Sequence, residues 1–148
     1  MLASAIGFGA WGIGGVTAGA TSYGPVSEKD AIATVDAAVD RGINLFDTAN
    51  VYGDGRSEKF LGIALKAKRT GILISSKVGL VNYKQKLDLN SEQIIRSVDG
   101  SLRRLRTDYL DILHLHKVSL EQLKSNDEIL KTLAILKQEG KIRCLAIS

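Results

Sequence analysis

The sequence has little cysteine and little proline, with one of each among its 148 residues. A single cysteine, Cys144, cannot form an internal disulfide or a thiolate metal cluster. A chain without disulfides is compatible with a reducing compartment, so we expect a cytoplasmic protein with no metal site. We expect Cys144 to be a buried thiol of the core.

Long apolar runs and one-sided charge are also missing. No stretch approaches the roughly 18 apolar residues that a membrane-spanning helix needs, and the first residues lack the basic start of a signal peptide. The net charge is +4, but the basic residues are scattered apart from Arg103, Arg104 and Arg106, which we expect to form a solvated helix end. We therefore expect neither a membrane nor nucleic acid as a partner, and the mild positive charge suits an anionic cofactor.

Five apolar stretches alternate with helical patterns along the chain. Ser27, Ser57 and Ser91 each precede apolar residues at helical spacing, and we predict that they cap three helices. A fourth helix is predicted from about Asn126 to Gln138. The resulting order, βαβαβαβαβ, is typical of a parallel sheet with helical crossovers, here in a single α/β domain over residues 1–148. The predicted strands are Ala5–Trp11, Ile43–Phe46, Ile72–Ser76, Tyr109–His116 and Ile142–Ile147.

Two architectures have this element order, an open doubly wound sheet and a (β/α)₈ barrel. Polar residues end three consecutive predicted strands, namely Asp47, Lys77 and His116. In a barrel these strands are neighbours, and their inward-facing end residues converge on one rim. In a doubly wound sheet the first strand lies in the middle, so convergence is less natural. We therefore favour the barrel. A full barrel needs roughly 250 residues, so four βα units and a fifth strand form a partial one.

Tyr52 follows Asp47 closely in sequence and should lie at the same rim. A free phenol has a pKa of about 10, and a neighbouring ammonium favours its ionised form. A carboxylate keeps that ammonium charged, and an imidazole can donate a hydrogen bond to an oxygen that gains negative charge. These groups suit proton donation to a carbonyl oxygen while a hydride reaches its carbon. Because no side chain supplies a hydride, a nicotinamide cofactor is implied.

A glycine-rich loop follows the first predicted strand, with glycines at positions 12, 14, 15, 19 and 24. The spacing from Gly7 to Gly12 matches a dinucleotide fingerprint, but these glycines run through the strand instead of opening a helix. We favour a flexible loop over a pocket. Trp11 either packs within this loop or forms a wall of the pocket. His114 is interpreted as a structural residue one layer below the rim.

Four stretches together resemble the aldo-keto reductase superfamily: NLFDTANVYGDGRSEKFLG (44–62), ILISSKVG (72–79), SLRRLRTDYLDILHLH (101–116) and GKIRCLAIS (140–148). They occur in the order found in that family and cover nearly the whole chain. The resemblance implies a (β/α)₈ barrel that binds NADP(H) without a Rossmann motif. It also implies the reversible reduction of an aldehyde or ketone to an alcohol by hydride transfer.

The resemblance assigns roles to individual residues. Tyr52 matches the general acid of the family. Lys77 and Asp47 match the pair that tunes this acid, and His116 matches the histidine that orients the substrate carbonyl. The residues expected to contact the cofactor are Gly9, Ala10 and Trp11 in the first loop, Asp47, and Ser148, which resembles the serine that holds the nicotinamide carboxamide.

The resemblance covers the N-terminal half of the family's barrel. In the family, later strands carry the contacts to the pyrophosphate and the 2′-phosphate, so we expect these 148 residues by themselves to bind the cofactor weakly. Two alternatives stay open. One is an inactive half-barrel whose open sheet edges favour self-association, and the other is a cofactor-sensing regulatory subunit of the kind that the superfamily also contains. The expected partner of the enzyme is a small carbonyl or alcohol substrate.

Overall fold

The computed structural model describes residues 2–17, 22–82 and 86–148, so Gly19 of the predicted glycine-rich loop lies outside the described residues. Among the described residues, five strands alternate with four long α-helices, and one short α-helix precedes the last long one. The strands are β1 (Phe8–Gly9), β2 (Leu45–Asp47), β3 (Leu73–Val78), β4 (Leu110–Leu115) and β5 (Ile142–Ile147). The helices are α1 (Glu28–Asp40), α2 (Arg56–Leu65), α3 (Ser91–Leu105), α4 (Leu120–Lys124) and α5 (Asp127–Gln138), with 3₁₀ turns at Gly12–Gly14 and Lys66–Gly71.

The strands form one parallel sheet in the order of the sequence, β1-β2-β3-β4-β5. A doubly wound sheet would place β1 inside the sheet, so this order contradicts that alternative and has the strand neighbours of a barrel. In the register, Asp47 aligns with Ser75, and Ser75 aligns with Ile112. Lys77 aligns with His114. Lys77 therefore lies beyond Ser75, the residue opposite Asp47, towards the carboxyl end of β3.

The hydrophobic core lies between the sheet and the helices. Phe46, Ile74 and Leu113 are fully buried on the strand side, and Leu61 and Ile94 are fully buried on α2 and α3. Complete burial of one such side chain contributes roughly 1.5–3 kcal/mol relative to exposure. These contacts hold the helices against one face of the sheet and fix the ends of the strands.

Of the three helix caps predicted from the sequence, the structure confirms one. Ser27 caps α1 as predicted, because its side chain accepts a hydrogen bond from Asp30 N at 3.1 Å. The prediction for Ser57 is wrong: the residue before α2 is Gly55, with φ of 86°, and Ser57 is buried inside the first turn. The prediction for Ser91 is also wrong, since the Asn90 side chain accepts from Glu92 N and Ser91 is the first residue of α3.

Three further predictions differ from the structure. The first strand is shorter than predicted, because the chain turns at Ala10. Helix α4 was not expected, although Ser119 and Gln122 form a reciprocal capping box at its start. Cys144 is exposed on β5, where most side chains are accessible, and is not a core thiol.

The basic cluster at the end of α3 is not uniformly solvated. Arg103 and Arg106 are exposed, but Arg104 turns inward and contacts the completely buried carboxylate of Glu58 at 2.7 Å. No helix within the described ranges is long and apolar enough to cross a membrane.

Candidate active site

Asp47 and Lys77 form an ion pair at the carboxyl ends of β2 and β3. Lys77 Nζ lies 2.5 Å from Asp47 Oδ2 and also donates to the carbonyl oxygen of Thr48 at 2.9 Å. Ser75 Oγ donates to the other carboxylate oxygen, Asp47 Oδ1, at 2.9 Å. The Lys77 side chain is 8% exposed, whereas the Asp47 side chain is 43% exposed. The ammonium is thus held in one position by two acceptors within a largely buried pocket.

Tyr52 lies in the loop between β2 and α2, with its ring near the ammonium of Lys77. Lys77 Nζ is 5.1 Å from the ring centroid, within the distance of about 6 Å at which a cation is attracted to an aromatic face. Gly53 has a φ of 59°, and a Cβ on it would lie 2.4 Å from the carbonyl oxygen of Gly14. Only glycine fits at this position. The turn therefore fixes where Tyr52 projects.

His116 follows β4 and lies opposite Tyr52. The two ring centroids are 6.3 Å apart, and the ring planes are inclined at 83°. Burial, and after it the positive charges of Lys77 and Lys117, lower the pKa of His116 to about 4. The imidazole is therefore neutral at pH 7, with one N–H available to donate. Its Nδ1 atom is buried and has no hydrogen-bond partner among the described residues.

His114 lies in the same layer of side chains as Lys77. It aligns with Lys77 on β3 and with Ala146 on β5. Burial lowers the pKa of His114, and the nearby Lys77 ammonium lowers it in addition. This imidazole is therefore also neutral at pH 7, and the ion pair of Asp47 and Lys77 has no third fixed charge from either histidine.

A cleft of about 130 Å³ opens above this cluster. Ligand pockets usually measure about 300–1,000 Å³, so this cleft has room for only the reacting end of a substrate or cofactor. Trp11 forms one of its walls and also packs against Tyr23 of the same loop, with ring centroids 5.3 Å apart, so both interpretations of that residue hold. The lining residues are Trp11, Val51, Tyr52, Leu80, Asn82, His116 and Lys117.

The residues predicted to contact a cofactor lie around the same rim. Gly9 aligns with Asp47 in the sheet, and Ala10 N donates to the carbonyl oxygen of Asp47 at 2.8 Å. Ser148 lies beside His116, because its backbone N donates to Leu115 O at 3.1 Å and its carbonyl oxygen accepts from the backbone N of Lys117 at 2.6 Å. The structure thus brings both segments to the carboxyl end of the sheet.

Two polar residues near the site were not predicted as part of it, although Ser57 was predicted as a helix cap. Ser57 and Glu58 are completely buried in the first turn of α2, and both bond to residues adjacent to the ion pair. A signal for Glu58 was present, because it shares the apolar face of α2 with Leu61 and Leu65 at helical spacing. Its partner Arg104 lies on a different helix, and the sequence spacing between the two does not reveal the contact.

The cluster combines an ion pair with a buried ammonium, a phenol against that ammonium and a neutral imidazole opposite the phenol. Such groups can hold and release a proton beside an oxygen that gains negative charge. The cluster lies at the carboxyl ends of consecutive parallel strands, where barrel enzymes have their active sites. Within the described ranges, no group of three or more His, Cys, Asp or Glu side chains could hold a metal ion. Fold and cluster together define a partial barrel with titratable side chains gathered at the carboxyl ends of its strands.

Comparison with known sequences gives the family. The sequence model of the Aldo/keto reductase family matches residues 5–148, so the chain belongs to the aldo/keto reductase family. Among curated relatives, L-galactose dehydrogenase of Arabidopsis thaliana is 45% identical over 98% of this chain and 44% of its own length. Aldo-keto reductase YhdN of Bacillus subtilis is 38% identical over 99% of this chain and 43% of its own length.

Solved structures agree with this assignment. The holo form of an aldo-keto reductase from Bacillus halodurans superposes with a TM-score of 0.83 at 35% identity, over 99% of this chain and 46% of that one. An aldo/keto reductase from Klebsiella pneumoniae, in complex with NADP and acetate, superposes with a TM-score of 0.78 at 31% identity, over 98% and 45% of the two chains. The chain spans less than half the length of these relatives, and the prediction of a partial (β/α)₈ barrel is confirmed.

Proposed function

We propose that this protein is an NADP(H)-dependent oxidoreductase that reduces an aldehyde or ketone to an alcohol, with Tyr52 as the general acid. The observation that carries the proposal is the contact of the buried Lys77 ammonium, paired with Asp47, with the ring of Tyr52. The phenol lies against this ammonium at the edge of the cleft and would transfer its proton to a substrate oxygen as a general acid.

His116 completes this proposed acid–base set. Because its imidazole is neutral at pH 7, it can donate a hydrogen bond to the carbonyl oxygen without adding a charge to the site. The donor is then available throughout the reaction, since no proton needs to leave His116. Together, Tyr52 and His116 would hold the carbonyl oxygen from two sides of the cleft.

The residues at the rim fit a nicotinamide cofactor. Two polar atoms there, His116 Nδ1 and Asn50 Oδ1, are buried without a hydrogen-bond partner among the described residues. Buried polar atoms normally have partners, so this rim has the capacity to bind a polar ligand. Ser148 and the turn Gly9–Trp11 would hold the cofactor. When bound, NADP(H) supplies the hydride that no side chain can supply.

The test is NADPH oxidation by the purified protein with a small panel of aldehydes and ketones. The reverse reaction is measured with NADP⁺ or NAD⁺ and substrates that carry hydroxyl groups. L-galactose is included among them because one relative bears the name L-galactose dehydrogenase. We expect turnover with at least one carbonyl substrate. We expect Tyr52→Phe to lower kcat by about 100- to 10,000-fold, the usual contribution of a general acid.

Tyr109→Phe is the matched control. It removes the same hydroxyl from a tyrosine directly before β4, at the amino end of the strand, whose ring lies against Arg69 and Arg143. An equal loss of activity in both variants would contradict the role of Tyr52. Binding of NADPH without turnover of any substrate would instead favour the cofactor-sensing alternative.

A further inference from the structure

Ser57, in the first turn of α2, bonds to two elements of the rim at once. Its Oγ donates to the carbonyl oxygen of Ala10 at 2.7 Å and lies 2.8 Å from Thr48 Oγ1. Since the Ser57 proton is directed to Ala10, the Thr48 hydroxyl donates to Ser57 Oγ. Thr48 directly follows Asp47, and its carbonyl oxygen accepts the second hydrogen bond of Lys77 Nζ. Ser57 thus holds the residue that supplies one of the two acceptors of the ammonium.

Glu58 acts on the neighbouring strand in the same way. Its Oε1 atom accepts a hydrogen bond from Ser76 Oγ at 2.6 Å, and its Oε2 atom is held by Arg104 at 2.7 Å. Ser76 directly precedes Lys77 in β3, and successive side chains of a strand point to opposite faces. The bond from Glu58 therefore holds β3 from the helical side at the point where Lys77 projects from the other side.

Packing alone does not explain a carboxylate at this position. Glu58 is completely buried, and apolar side chains of similar volume often hold a buried position at least as well as an ion pair does. Apolar contacts lack direction, however. The short bond from Ser76 Oγ to Glu58 fixes the rotation of β3 about its own axis, and Ser57 Oγ joins Thr48, at the end of β2, to the carbonyl oxygen of Ala10. Both restraints act on residues next to Asp47 and Lys77.

We propose that Ser57 and Glu58 are positioning residues that hold Thr48 and Ser76 so that Asp47 and Lys77 meet against Tyr52. The inference rests on the proposed function, because it assigns these residues to the geometry of the proposed proton donor. The loop that carries Tyr52 is tied to the same turn, since Ser57 N donates to the carbonyl oxygen of Tyr52 at 3.3 Å. One turn of a helix outside the sheet therefore fixes three parts of the site.

The test measures how firmly the Lys77 side chain is held, independently of catalytic activity. Ser76→Ala removes one oxygen and leaves Glu58 paired with Arg104, so it changes the restraint with little change in packing. Thr132→Val is the control, because Thr132 on α5 is also buried and its hydroxyl bonds to Ser91, away from the cleft. For each protein, the rate at which a small acylating reagent modifies Lys77 is measured by mass spectrometry relative to the exposed Lys59.

We expect the relative modification rate of Lys77 to rise about 3- to 10-fold in Ser76→Ala, the range that loss of one buried hydrogen bond produces in a local opening equilibrium. Thr132→Val should leave this rate within about twofold of wild type, because its lost bond is remote from Lys77. We also expect Ser76→Ala to lower kcat about 10-fold while KM changes less than about twofold, since misplacement affects the chemical step.

An unchanged Lys77 rate in Ser76→Ala, or an equal rise in Thr132→Val, would overturn the positioning role. So would an unchanged kcat in a protein that turns over. If Lys77 becomes more reactive only in Ser76→Ala but neither protein reduces a carbonyl, the positioning of the ion pair stands and the proposed function fails. Should Ser76→Ala not fold, Ser57→Ala gives the same measurement through Thr48.

Discussion

The carboxylate of Asp111, on β4, is a buried acceptor for two arginines and a backbone amide. It accepts from Arg69 Nη2 at 2.8 Å, from Ile74 N at 3.0 Å and from Arg143 Nη1 at 2.9 Å. The two guanidinium groups lie on the ring of Tyr109, with distances of 3.9 and 4.0 Å to its centroid. Asp111 thus joins β3, β4 and β5, and its replacement by alanine tests how much this junction stabilises the sheet.

The expected loss follows from what each donor retains. Arg143 is 55% exposed and can bond to water, so its contribution is small. Arg69 keeps acceptors at Thr107, Ile72 and Tyr109, but the buried N–H of Ile74 loses its partner, which costs about 1–3 kcal/mol. Breaking a buried ion pair costs about 3–5 kcal/mol. Because Arg69 stays partly satisfied, we expect the low end, about 3 kcal/mol.

Urea unfolding followed by circular dichroism measures this loss. With an m value of about 2 kcal/mol per M for a chain of this size, the midpoint should fall by about 1.5 M. Asp36→Ala is the matched control, because its carboxylate pairs with Lys68 at 2.9 Å but both side chains are about two-fifths exposed. It should change the free energy of unfolding by less than about 0.5 kcal/mol. Equal losses in the two variants would refute the argument from burial.

Two further outcomes are expected. Gly62→Ala should lower the free energy of unfolding by about 2 kcal/mol or more, because a Cβ there would lie 2.2 Å from the carbonyl oxygen of Arg104. Gly71→Ala is the control in the same urea experiment and should be nearly neutral, because a Cβ at Gly71 would have nothing within 4 Å. In an NMR titration with labelled histidine, assigned with His114→Gln, His116 should not titrate between pH 8 and 5.5. The pKa of His116 in the folded protein, about 4, lies below the ordinary value of 6.5, so the unfolded chain binds the extra proton first as the pH falls. The free energy of unfolding should therefore fall as the pH drops from about 6.5 towards 4. An inflection of the His116 chemical shift near pH 6.5 would contradict this.

One feature of the sequence made it possible to predict the strand order and the candidate site. Polar residues after apolar strands mark the carboxyl end of a parallel sheet, and this placed Asp47, Lys77 and His116 at one rim. The helix caps were harder to predict. At α3, Asn90 and Ser91 are both good capping residues, and only the backbone conformation of Asn90 decides between them. At α2, a glycine with positive φ ends the preceding turn and displaces Ser57 into the helix.

Long-range polar contacts could not be predicted from local patterns. Glu58 and Arg104 are 46 residues apart and meet only because α2 and α3 pack side by side. A run of arginines at a helix end usually indicates solvent exposure, and this rule failed for Arg104, the member of the run that pairs with the buried Glu58. Local propensity describes each helix separately, whereas the contact between Glu58 and Arg104 depends on how α2 packs against α3.

The sequential order of the sheet has a consequence for how the chain is made. Each strand pairs with the strand that precedes it in sequence, so no strand has to wait for a distant partner. Synthesis proceeds at about 5–20 residues per second, and N-terminal parts fold first. Asp47, Tyr52, Glu58 and Lys77 are all in place once β3 has emerged. Asp47, Lys77 and Tyr52 can therefore come together on the ribosome before His116, at the end of β4, is translated.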